Sequence, residues 1–139
     1  MTQFVFVRHG EPDYPSAGDW NRFPLGQHFA GLTDEGRKQI KESCKELSKY
    51  DVDLILSSPF TRTMQGAAIM ARELNADVVV ERDLHEWQVD LSYSITEEAK
   101  FLELCRDHDN CNGIYPEGET KLWESTEAVR TRVMKVLEK

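Results

Sequence analysis

Short apolar runs alternate along this chain with stretches in which apolar residues recur every three or four positions. The first run, Gln3 to Val7, contains Phe4-Val5-Phe6-Val7 and reads as a buried strand. Asp53 to Ser57 (DLILS) and Asp77 to Glu81 (DVVVE) read as a second and a third. Ahead of the second strand, Ile40, Cys44 and Leu47 share one face of a predicted helix. Thr33 is its expected N-cap, with Asp34 and Glu35 favouring the first turn. Ser58-Pro59 opens a second helix whose buried stripe is Ala67, Met70, Ala71 and Leu74. Thr96 is expected to cap a third, carrying Ala99, Leu102 and Cys105. A loop from Asn110 to Gly118 leads to a last helix with Leu122, Val129, Val133 and Val136. Strands alternating with helices predict an α/β domain with a largely parallel sheet.

Bulk properties narrow the function. The 139 residues suit one domain with a real core, and 40% hydrophobic with 30% charged residues is a globular composition. A net charge of -8 argues against nucleic-acid binding. It also means that an anionic substrate needs a local basic pocket. Cys44, Cys105 and Cys111 form no CxxC pair and leave one thiol over, which suits a reducing compartment. The opening residues show neither a basic n-region nor an apolar h-region, and no run approaches the ~20 apolar residues of a membrane span. A cytoplasmic protein that binds neither membrane nor nucleic acid is expected.

Ligands of open α/β sheets sit beyond the carboxyl ends of the strands. Arg8, His9 and Glu11 follow the first predicted strand, Ser57, Ser58 and Arg62 the second, and His85 and Glu86 the third. Arginine suits phosphate because its planar fork makes two charge-assisted hydrogen bonds. The helix start near Ser58 adds anion affinity. An imidazole between two guanidinium groups is kept unprotonated and is a plausible phosphorus nucleophile. Glu86 could protonate a leaving alkoxide. Each residue also has a plainer reading: Arg-His-Gly as a turn, Arg62 as a solvated helix residue, Glu86 as surface.

The motifs resemble those of the histidine phosphatase superfamily, the phosphoglycerate-mutase-like proteins. Arg8-His9-Gly10 after an N-terminal strand is the first match. Leu32-Thr33-x-x-Gly36-x-x-Gln39, Ser57-Ser58-Pro59-Phe60-x-Arg62-x-x-Gln65, Leu84-x-Glu86, and Glu124-Ser125 followed by Arg132-Val133 complete the series in family order. The resemblance implies a three-layer α/β/α sandwich with a mainly parallel sheet and a phosphohistidine intermediate at His9. It implies phosphate-binding roles for Arg8 and Arg62 and a proton-donor role for Glu86. No metal and no cofactor are implied.

Two departures qualify it. The family carries a second histidine, in a strand ending His-Gly after the ES…RV helix, and residues 1–139 contain no such segment. His28, His85 and His108 stand in other contexts. The domain is therefore expected to be incomplete at its C-terminus, to lack a central strand and to be a fragment, with an edge open to homodimerisation. Glu11-Pro12-Asp13-Tyr14 also replaces the Glu-Ser and Trp-Asn that soon follow in the mutase branch. Trp20-Asn21 comes later, and Asn21 is the candidate for that substrate contact. The expected activity is metal-independent hydrolysis of a small phosphomonoester. The alternatives are a non-catalytic phospho-ligand or partner-binding domain and a phosphoglycerate mutase-type phosphotransferase.

Overall fold

The computed structural model describes residues 2–20 and 25–138. Two 3-10 turns, Pro15–Trp20 and Leu25–Phe29, precede α1 (Asp34–Leu47), β1 (Leu54–Ser57), α2 (Thr61–Leu74) and β2 (Asp77–Val80). A further 3-10 turn, Arg82–Leu84, leads towards α3 (Glu98–Asn110) and α4 (Thr126–Leu137). β1 and β2 pair in parallel, Leu54 opposite Asp77 and Ser57 opposite Val80, with α2 as the crossover between them. The predicted α/β class with a parallel sheet is present, and the described sheet has two strands.

The first expected strand, Gln3 to Val7, is not formed. No backbone hydrogen bond joins residues 3–7 to another described segment. Phe4, Val5, Phe6 and Val7 are 46%, 47%, 77% and 38% exposed, so the most strand-like run of the sequence lies open. A strand is stabilised by its ladder, and among the described residues none is hydrogen-bonded to this run through the backbone. β2 is similarly exposed along Val78, Val79 and Val80.

Burial concentrates in two clusters. In the first, Ile40, Cys44 and Leu47 of α1 meet Met70 of α2 and Leu32, with Ile55 and Leu74 packed around them. The predicted face of α1 and most of the α2 stripe are therefore the core. In the second, Val89, Leu104 and Trp123 are buried among Trp87, Phe101 and Tyr115. Here the α3 stripe differs from expectation. It is Phe101, Leu104 and Cys105, while Ala99 and Leu102 face solvent. α3 carries apolar residues on more than one face, and contact with Trp123 selects the phase. Glu97, not Thr96, is its N-cap, without a side-chain bond. α4 begins later than its apolar spacing suggests. Ser125 accepts from the Ala128 amide as its N-cap, and Leu122 lies before the helix, exposed.

Candidate active site

His9 is carried on a loop laid across the start of α1. Gly10 is buried, and a Cβ built on it would lie 2.2 Å from the Gly36 carbonyl oxygen. A Cβ on Gly36 would meet the Glu11 carbonyl at 2.3 Å. Only glycine at both positions permits this approach. The loop is then pinned by donors and acceptors from α1. The Glu11 amide donates to Gln39 Oε1 at 2.9 Å, and the Thr33 amide donates to the Glu11 carbonyl at 3.0 Å. Thr33 Oγ1 donates to Glu11 Oε2 at 2.6 Å while accepting from the Gly36 amide at 2.9 Å. His9 itself is half-buried, with Nδ1 2.7 Å from the Gly10 carbonyl. A carbonyl only accepts, so Nδ1 donates, and the tautomer this selects places the lone pair of a neutral ring on Nε2. Arg8 is exposed and makes no ion pair with any described residue.

Arg62 stands one residue inside α2, at the carboxyl end of β1. It is 3% exposed. Its Nη2 donates to Glu86 Oε2 at 2.5 Å and its Nη1 to the Gln27 carbonyl at 3.2 Å. Its guanidinium lies 5.1 Å from the Phe60 ring centre, and His28 stacks on that ring at 4.0 Å. Two buried polar atoms at this helix start have no protein partner, Arg62 Nε and Ser58 Oγ. The N-cap, Phe60, offers the first amides no side-chain bond either. Buried polar atoms left unmatched are costly, and both stand at a helix start, where the aligned amides favour an anion.

A cavity of about 220 Å³ opens here, lined among others by Tyr14, His28, Arg62, Glu86, Trp87 and Phe101. Burial, and then the neighbouring Arg62, push the His28 imidazole below its usual range, favouring the neutral ring. Of the residues proposed from sequence, Arg62 and Glu86 meet in this cavity. His9 and Arg8 do not line it. Both arms nevertheless lie where α1 and α2 begin, because Gln65 of α2 accepts the Leu32 amide at 2.8 Å, one residue before the α1 cap. Asn21 falls outside the described residues.

Several residues to which the motifs alone assign no role hold the site together. Gln39 and Gln65 hold the loops on either side of the α1 start. Glu124 and Arg132 form a nearly buried pair, Nε to Oε1 at 2.7 Å and Nη2 to Oε2 at 3.0 Å. Burial acts to raise the Glu124 carboxyl, but the bonds from Arg132 and the Gln88 amide outweigh it and hold the group below the usual range. His28, in the irregular loop, had no spacing signal to mark it.

Residues 4–139 match the sequence model of the histidine phosphatase superfamily (branch 1). Phosphoserine phosphatase 1 of Hydrogenobacter thermophilus is 34% identical over 85 residues, which cover 58% of this chain and 36% of that protein. The Escherichia coli protein named "Probable phosphoglycerate mutase GpmB" is 28% identical over 127 residues, covering 86% and 56% of the two chains. This chain thus spans roughly a third to just over half the length of these curated relatives. Among solved structures, the native mycobacterial glucosyl-3-phosphoglycerate phosphatase superposes with a TM-score of 0.65 at 19% identity. That likeness covers 94% of this chain and 59% of the other, and shows a shared fold.

Proposed function

The chain belongs to the histidine phosphatase superfamily, and on that premise we propose that the protein hydrolyses a small phosphomonoester through a phosphohistidine at His9. The observation that carries this reading is Arg62. It is a buried guanidinium with an unmatched Nε, beside an unmatched Ser58 hydroxyl and an uncapped helix start. A guanidinium lining a cavity at a helix start supports binding of a phosphate dianion. Relatives named as phosphatases support the same class.

In the proposed reaction the His9 Nε2 lone pair forms a bond to phosphorus as the bond to the ester oxygen breaks. Glu86 delivers a proton to the departing alkoxide. Water then attacks the phosphohistidine. Glu86 takes the water's proton, and inorganic phosphate leaves with the imidazole restored. Arg62 and Arg8 balance charge on the equatorial oxygens. Asn21 is proposed as a further substrate contact.

The test uses the intact protein and p-nitrophenyl phosphate. Turnover is expected to persist in EDTA, to be inhibited by vanadate and to fall to background in His9→Ala. Activity surviving in His9→Ala, or lost on chelation, overturns the mechanism. A second reading, phosphate binding without turnover, draws on the absence of His9 and Arg8 from the Arg62 cavity lining. Trapping of 32P on the wild-type protein, and none on His9→Ala, decides between the two. A mutase-type transfer would instead show phosphate passing to an acceptor alcohol.

A further inference from the structure

The segment that carries Glu86 is tied to two residues, Glu124 and Arg132, on either side of that position. Arg132 Nη1 donates to the carbonyl oxygens of Asp83 and His85, each at 2.7 Å. Glu124 Oε2 accepts from the Gln88 amide at 3.2 Å, and the Glu124 amide donates to the Gln88 carbonyl at 2.8 Å. Trp87 Nε1 donates to the Glu124 carbonyl at 2.6 Å. The bidentate bond between Arg132 and Glu124 closes this frame. Residues 83, 85, 87 and 88 are all fixed by it, and Glu86 between them is not. The Glu86 side chain is 62% exposed and reaches the other way, to Arg62. A flexible carboxylate on an ordinary loop would sample many rotamers; here its backbone is held on both sides.

We propose that Glu124 and Arg132 are positioning residues for Glu86, setting the distance between its carboxyl group and the bound phosphoester; this rests on the reading of Glu86 as proton donor. Neither residue lines the Arg62 cavity. Arg132 makes four hydrogen bonds here through three nitrogens. Lysine keeps the charge but has three donors on one atom and cannot reproduce that fork. The function of the pair is geometric, so its loss acts on the two steps in which Glu86 moves a proton, departure of the alkoxide and hydrolysis of the phosphohistidine.

The test compares kcat/KM for an alkyl phosphate and for p-nitrophenyl phosphate in the intact protein, a quantity that ends at phosphorylation of His9 and so leaves out the hydrolysis step common to both. Alkoxides are strongly basic leaving groups and need the proton, whereas p-nitrophenolate needs it little. Glu86→Gln is expected to slow the alkyl ester by roughly 10² to 10⁴ and the aryl ester far less. Arg132→Lys is expected to slow the alkyl ester by about 10- to 100-fold, since displacements near 1 Å cost that much, and the aryl ester by less than about threefold. In a Glu86→Gln background, Arg132→Lys should cost the alkyl ester no more than about twofold, because the proton it positions is already gone. Glu124→Gln, with its melting temperature recorded, is the second variant and should show the same ester selectivity. Equal losses on both esters from Arg132→Lys and Glu124→Gln, with Glu86→Gln still selective, overturn the positioning role and leave a structural clamp. An unselective Glu86→Gln overturns the proton-donor reading on which the proposal rests.

Discussion

Residues 83–88 and residues 3–7 are both short segments leading into the candidate site, but they are held in opposite ways. In the first, Asp83, His85, Trp87 and Gln88 each bond to Glu124 or Arg132, and Val89 beyond them is buried against Trp123. The second is more apolar, with Phe4, Val5, Phe6 and Val7 in succession, and has neither ladder nor cover among the described residues. Its far end, Gly10 and Glu11, is nonetheless fixed on α1. Apolar character measures how much a segment can gain from burial. It does not name the partner that buries it. The Glu86 arm finds its partners within the described chain, whereas the His9 arm is held only beyond its apolar run.

The contrast can be broken most directly at its buried end. Trp123 is 0% exposed, donates from Nε1 to Asp107 Oδ2 at 2.8 Å and packs on His108 and Tyr115. Trp123→Ala should cost about 3–5 kcal/mol in urea unfolding. A loss under about 1 kcal/mol would show that the second cluster is not the support assigned to it.

Next comes the carboxylate of the clamp. Removing one partner of a nearly buried pair costs about 3–5 kcal/mol, so Glu124→Gln belongs near the low end, because the amide retains an acceptor for Arg132. The pH dependence has a definite sign. The folded protein holds Glu124 below the usual range, so the unfolded chain binds the proton more readily. The contribution is complete above the unfolded carboxyl's pKa and is lost as pH falls through the folded value. Asp90 acts in the same direction: burial opposes its charge, but bonds from Ser92 and Ile95 outweigh that and hold it low. Unfolding followed through the acid range should show a shallower decline in Glu124→Gln than in wild type. Equal slopes would remove Glu124 from the acid transition.

Gly36→Ala sharpens the comparison at the His9 arm. The added methyl meets backbone at 2.3 Å, so the loop must lift. Overpacking of this kind costs about 1–3 kcal/mol. Turnover should fall by more than the stability loss explains, because the His9 arm is displaced. The smallest effect is expected at Phe6→Ser. Phe6 is 77% exposed, and such a surface change should move stability by no more than about 0.5 kcal/mol. A loss above about 2 kcal/mol in the intact protein would mean that a further segment covers this run.

Much of this was legible because local chemistry decided it. Thr33 caps α1, and Ile40, Cys44 and Leu47 face the core, because a cap and a single apolar stripe leave one solution. Arg62 and Glu86 came together as their places after β1 and β2 required. Three things escaped. Gln3 to Val7 had the composition of a strand, but a ladder is a property of two segments and composition describes one. The α3 stripe had two candidate phases, separated only by the position of Trp123. The roles of Gln39, Gln65, Glu124 and Arg132 rest on hydrogen bonds across 28 to 49 positions of sequence, which no local pattern encodes.

The facing glycines have one more consequence. Gly36 has no side chain, while its neighbours in α1 are Glu35 and Arg37. If the helix slid by one residue beneath the Gly10 loop, a long charged chain would occupy space that now admits only hydrogen. The contact therefore works as an indexing notch: it fits at one setting of the helix and rejects the adjacent ones. Substitutions at Gly10 and Gly36 should accordingly be interdependent, since enlarging either residue closes the same notch.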